Sequence, residues 1–139
     1  MQNVRQDEDD YVDDNGVHQP AINEPYRKEY YKNGKLHRDG DEPAKIEIGG
    51  RIKILAHYKN GELHREGDKP AKYVTGSSST NDEYYYGGML HRAENKPSVT
   101  IKNGDSLIEK YHYAGLLHRT DGAAVTVKDN DNSLVEHRI

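Results

Sequence analysis

Leu-His-Arg stands at Leu36-His37-Arg38, Leu63-His64-Arg65, Leu90-His91-Arg92 and Leu117-His118-Arg119, always 27 residues apart. A fixed step of this length implies one supersecondary unit per step, because a unit so short buries its apolar side only by stacking on a neighbour. Gly34, Gly61, Gly88 and Gly115 keep the same phase, as do Tyr31, Tyr58, Tyr85 and His112, then Pro43, Pro70, Pro97 and Ala124. The unit reads aromatic-aromatic-x-Asn-Gly-x-Leu-His-Arg-x-x-x-x-Pro-Ala.

Asn33-Gly34 and Asn60-Gly61 predict two-residue type I′ hairpins, since both residue types tolerate positive φ. Gly87-Gly88 permits the same turn, and Ala114-Gly115 does so less comfortably. Such turns fix register, so Tyr31 is expected opposite Leu36, Tyr30 opposite His37, and Glu29 opposite Arg38. Glu83 with Arg92 repeats that ion pair, whereas Ala56 would face Arg65 and Lys110 would face Arg119. Alternation then puts Tyr31, Tyr58, Tyr85, His112 and the motif leucines on a buried face, extended by Ile52, Ile54, Ile108, Val135 and Ile139. Tyr30, His57, Tyr84 and Tyr111, beside His37, His64, His91 and His118, fall on the wetter face. Short strands follow each proline, and turns at Gly49-Gly50 and Asn103-Gly104 and a loop over Gly76 to Thr80 return the chain. Val99 and Ile101 sit on the opposite parity from Ala44 and Ile46, which predicts a bulge or register change.

Only 32% of residues are hydrophobic, Phe and Trp are absent, and eleven tyrosines carry the aromatic load. Tyrosine suits a thin structure in which rings pack and hydroxyls reach water. The expected fold is all-β: a single-layer, curved antiparallel β-meander of eight to ten strands, built from four 27-residue hairpin repeats with capping half-repeats. Residues 1–10 read as an acidic flexible N-terminus, 11–28 as a cap or half-repeat around Asn15-Gly16 and Pro20-Ala21-Ile22, and 29–139 as the array with a C-terminal closing strand. A net charge of −4 with both signs interspersed leaves no footprint for direct nucleic-acid binding. The absence of cysteine excludes disulfides and thiolate chemistry, and no long apolar run suggests a membrane span, so a soluble, cytoplasmic protein is expected.

The Tyr-x-Asn-Gly-x-Leu-His-Arg-x-Gly-x-x-Pro-Ala pattern over about residues 29–139 resembles the MORN-like repeats of phage, bacterial and giant-virus proteins. Standard MORN repeats have a shorter unit and a Gly-x-Gly signature that this chain lacks. The resemblance implies a hairpin-per-repeat sheet used for interaction, and opens a viral origin.

Nothing in the sequence combines a nucleophile, a base and an orienting group, so no catalytic residue, cofactor or metal ligand set is expected. Asp129-Asn130-Asp131-Asn132-Ser133 lacks the glycine and closing glutamate of a calcium loop and reads as a turn. Equivalent histidines should lie on the order of 10 Å apart, too far to share an ion. The primary expectation is a non-catalytic protein-binding module. Candidate contact residues are Arg65 and Arg119, left without a cross-strand acid, with His37, His64, His91, His118, Tyr30, Tyr84 and Tyr111 on the wetter face. If the two arginines serve a partner, replacing them by alanine should hardly alter melting. An alternative follows from the acidic run Asp7-Glu8-Asp9-Asp10-Tyr11-Val12-Asp13-Asp14: a phage-encoded inhibitor of a host defence complex, of the anti-CRISPR type, engaging its nucleic-acid-binding protein subunits in the host cytoplasm. A third reading is an anion- or glycan-binding sheet.

Overall fold

The structure is a computed structural model, and it describes residues 3–4, 19–129 and 134–137. The acidic run, the segment around Asn15-Gly16 and the 130–133 stretch lie outside the described residues, as does Ile139. The described chain is all-β, without a helix. It begins with β1 (Asn3–Val4), β2 (Ile22–Glu24) and β3 (Arg27–Glu29). Four units follow. The first holds a hairpin, β4 (Tyr31–Lys32) and β5 (Lys35–Leu36), and then β6 (Lys45–Gly49). The second runs β7 (Ile52–Ala56), hairpin β8 (Tyr58–Lys59) and β9 (Glu62–Leu63), then β10 (Lys72–Thr75). The third runs β11 (Ser79–Glu83), β12 (Tyr85–Tyr86), β13 (Met89–Leu90) and β14 (Val99–Asn103). The fourth runs β15 (Ser106–Lys110), β16 (His112–Tyr113), β17 (Leu116–Leu117) and β18 (Val125–Lys128), and β19 (Leu134–His137) ends the described chain.

Among the described residues eleven strands form one antiparallel meander in the order β1-β2-β3-β6-β7-β10-β11-β14-β15-β18-β19. The short hairpins are not part of it. Each is a separate two-stranded ribbon, which corrects the expectation of one continuous sheet of eight to ten strands. The branch point is the first aromatic of each unit. Tyr30 N–H donates to Ala44 O at 2.8 Å, the last rung of the main sheet, and Tyr30 O accepts from His37 N–H at 2.9 Å, the first rung of the hairpin. His57, Tyr84 and Tyr111 repeat both bonds, with Ala71, Ser98 and Ala124 opposite.

All four two-residue turns form as the sequence predicts, with φ of 51° and 78° at Asn33-Gly34 and 51° and 84° at Ala114-Gly115. Tyr31 pairs with Leu36, as expected. Glu29 does not face Arg38. It belongs to the sheet, opposite Ile22 and Lys45, and Glu83 stands opposite Lys72 and Val99. Ala56 and Lys110 likewise pair within the sheet and do not face Arg65 and Arg119.

The expected faces hold only in part: of the residues placed on the wetter face His118 is exposed and Tyr84, His64 and His91 are half-buried, but the other four lie inside. Tyr30, His37, His57 and Tyr111 are buried, whereas Tyr31, Leu36, Ile54 and Ile108 are half-buried and Ile52 is exposed. Counting parity outward from the turn fails because the strand ends at the branch point, where the chain passes from one sheet into another. The most enclosed positions are small: Ala44, Ala71 and Ser98, then Ala123, Ala56 and Ala124. No bulge interrupts β14, whose pairing with β11 and β15 runs through without a skip. The apolar residues of that strand changed side, not the backbone.

The fourth unit departs in a way the sequence phase conceals. Arg38, Arg65 and Arg92 each donate Nη1–H to a proline carbonyl five residues on, whereas Arg119 reaches Ala123 O, four residues on. Ala123, not Ala124, is therefore the counterpart of the prolines, and this loop is one residue shorter.

Candidate interaction surface

The motif residues join one unit to the next. Leu36 O accepts from Gly61 N–H at 2.8 Å, Leu63 O from Gly88 N–H at 2.9 Å, and Leu90 O from Gly115 N–H at 2.8 Å. His37 Nδ1 accepts from Asn60 N–H at 2.9 Å, His64 Nδ1 from Gly87 N–H and His91 Nδ1 from Ala114 N–H, both at 3.0 Å. These N–H groups belong to the tight turns of the following hairpins, where the strand ladder offers them no acceptor. A neutral ring accepting at Nδ1 carries its proton on Nε2, and in two units that proton has an acid within reach, Asp39 at 2.8 Å and Glu66 at 3.1 Å.

Arginine reaches the other way. Arg65 grips Asp41 of the preceding unit through Nε at 2.7 Å and Nη2 at 3.2 Å, and Lys69 adds a bond of 2.9 Å to the same carboxylate. Arg92 and Lys96 hold Asp68 in the same way. These contacts keep the Asp41 and Asp68 carboxyls below the usual carboxylate range, chiefly through the arginine hydrogen bonds. The guanidinium planes of Arg38, Arg92 and Arg119 lie 3.8–3.9 Å from the ring centres of Tyr30, Tyr84 and Tyr111. In the second unit the aromatic is His57, and burial, with Arg65 beside it, lowers its pKa to about 4.

Second-position aromatics are fixed from the sheet. Tyr31 O–H donates to Glu29 at 2.7 Å and Tyr85 O–H to Glu83 at 2.8 Å, and burial together with Glu29 raises the Tyr31 pKa to about 12. Where Lys110 replaces the glutamate, His112 replaces the tyrosine and bonds Ser98 Oγ at 2.7 Å.

The predicted contact residues are thus largely occupied within the chain. His37, His64 and His91 cap turns, Arg65 binds Asp41 and the Pro70 carbonyl, and Tyr30, Tyr84 and Tyr111 lie under arginines. His118 differs: it is exposed, and no turn follows it among the described residues. Among the described residues no three His, Cys, Asp or Glu side chains are grouped to hold a metal, and no helix is long and apolar enough to cross a membrane.

What projects outward are the positions flanking each turn, which the repeat pattern hid as variable. They are Lys32 and Lys35 in the first hairpin and Lys59 and Glu62 in the second, of which Lys32 and Lys59 are half-buried and Lys59 turns back to the Arg38 and Gly40 carbonyls, then Tyr86 and Met89 in the third and Tyr113 and Leu116 in the fourth. Tyr86, Met89, Tyr113 and Leu116 are 55, 49, 60 and 72% exposed. The row is continuous: Met89 lies against Gly115, Tyr86 packs on His64 with ring centres 4.5 Å apart, and Tyr113 on His91 at 4.7 Å. Aligning the four units by their glycines would have exposed this change from charged to apolar. Behind the hairpins, open hollows of about 410, 390 and 300 Å³ separate successive loops, each lined by the joint's arginine.

This geometry defines a class: an antiparallel β-meander with a side row of hairpins, joined unit to unit through Leu-His-Arg. The chain matches no family model, no curated protein and no solved structure, so the MORN-like resemblance rests on the motif alone.

Proposed function

We propose that the protein is a non-catalytic protein-binding module whose contact surface is the outer edge of the third and fourth hairpins. One observation carries the reading: Tyr86, Met89, Tyr113 and Leu116 expose large apolar groups where the first two hairpins carry Lys32, Lys35, Lys59 and Glu62. Equivalent backbone positions serve equally well with charged side chains, so stacking of the hairpins does not demand apolar ones. Clustered, exposed apolar groups on a chain that is 32% charged suit burial against another protein, with tyrosine favoured at such contacts because its hydroxyl stays paired. The rigid row presents them with little ordering cost on binding.

Replacing Tyr113 by Lys and Leu116 by Glu transplants the second hairpin's pair onto the fourth. Affinity purification from the native cellular background should recover a protein with the unaltered chain and lose it with the double variant, both melting at the same temperature. Equal recovery by both chains, or a marked loss of stability in the variant, contradicts the reading. Recovery of a nucleic-acid-binding complex would direct the same surface to inhibition of such a complex.

A further inference from the structure

The three joints share one backbone plan but not one charge plan. Asp41 receives Arg65 and Lys69, and Asp68 receives Arg92 and Lys96. At the third joint Asn95 stands where those aspartates stand, and the shortened fourth loop brings Gly122, not a lysine, against the arginine. Arg119 Nε–H donates to Asn95 Oδ1 at 2.8 Å and Nη1–H to Ala123 O at 3.1 Å. Its Nη2 group, which in Arg65 and Arg92 donates to the second carboxylate oxygen, meets no acceptor among the described residues. The atom of Asn95 that replaces this oxygen is Nδ2, itself a donor, held only by a long 3.5 Å contact to Asp121 O.

Two N–H donors, Arg119 Nη2 and Asn95 Nδ2, therefore stand where the sister joints pair a donor with a carboxylate oxygen, and the guanidinium has no carboxylate partner among the described residues. Among the neighbouring charges, Lys96 bonds Asp68 and pairs with Glu94 at 3.4 Å. Asn95 and Arg119 line the 300 Å³ hollow together with Tyr113 and His118, so the place is open to solvent and to ligands. We propose that this hollow is an oxyanion-binding site, in which a carboxylate or phosphate oxygen accepts from both Arg119 Nη2 and Asn95 Nδ2 and supplies the negative charge that the aspartate supplies in the sister joints. Guanidinium favours such oxyanions through paired, charge-assisted hydrogen bonds. The site shares Tyr113 with the apolar hairpin edge, but its donors are Arg119 and Asn95, so either proposal can fail without the other.

The test is a titration of the full chain with inorganic phosphate and, separately, with acetate, following the side-chain N–H signals of Arg119 and Asn95 by NMR, with Arg65 and Arg92 as internal controls. Saturating shifts at Arg119 and Asn95, absent at Arg65 and Arg92, are expected. Asn95→Asp should weaken binding at least tenfold while leaving the sheet amide spectrum intact, because it recreates the aspartate of the sister joints. Saturation by both anions assigns the site to carboxylates as well as phosphates, and saturation by phosphate alone assigns it to phosphate. No saturation with either anion, equal shifts at all three arginines, or undiminished binding by Asn95→Asp would overturn the proposal.

Discussion

Arg65 shows how one side chain is committed on two sides, to Asp41 of the preceding unit and to the Pro70 carbonyl, with its charge close enough to His57 to help lower that ring's pKa. Arg65→Ala should therefore lower the melting temperature by several degrees, and Arg119→Ala by less, since Asn95 is neutral; thermal denaturation of both variants checks the order. The sequence shows that Arg65 needs a partner other than Ala56 but not which, because the acid lies 24 residues upstream in another loop. His57 supplies the pH dependence. An unfolded histidine titrates near 6.5 and His57 near 4, so between these values the unfolded chain holds a proton that the folded chain does not, and stability falls as pH drops from 6.5 to 4. His57→Tyr, which restores the residue of the other three units, should flatten that part of the stability-pH curve. An unchanged slope in denaturant titrations across the window would contradict this assignment.

The hairpin was the most legible element, because a two-residue turn states its own φ requirement, and Tyr31 opposite Leu36 follows from it. Ala114 is the weak member, holding φ of 51° with a Cβ. Relieving it with Ala114→Gly should stabilise the protein by about 1 kcal/mol, read from the shift in denaturant midpoint. What pattern reading missed was the end of the hairpin. Side-chain alternation carries parity past Tyr30 as though the strand continued, and nothing in it marks a residue whose N–H serves one sheet and whose carbonyl serves another. The burial of Tyr30, His37, His57 and Tyr111, the false Glu29 to Arg38 pair and the strand count all follow from that single branch point.

At the scale of the molecule two ladders run side by side, the strand register of the eleven-stranded sheet and the Leu-His-Arg joints between hairpins. The 27-residue step is the length of chain that returns both ladders to phase. The most direct test is through-hydrogen-bond nitrogen–nitrogen scalar coupling in the isotopically labelled chain. Coupling is predicted between His37 Nδ1 and the Asn60 amide, between His64 Nδ1 and the Gly87 amide, and between His91 Nδ1 and the Ala114 amide, with all three rings protonated on Nε2. Rings protonated on Nδ1, or the absence of these couplings in a folded sample, would contradict the account.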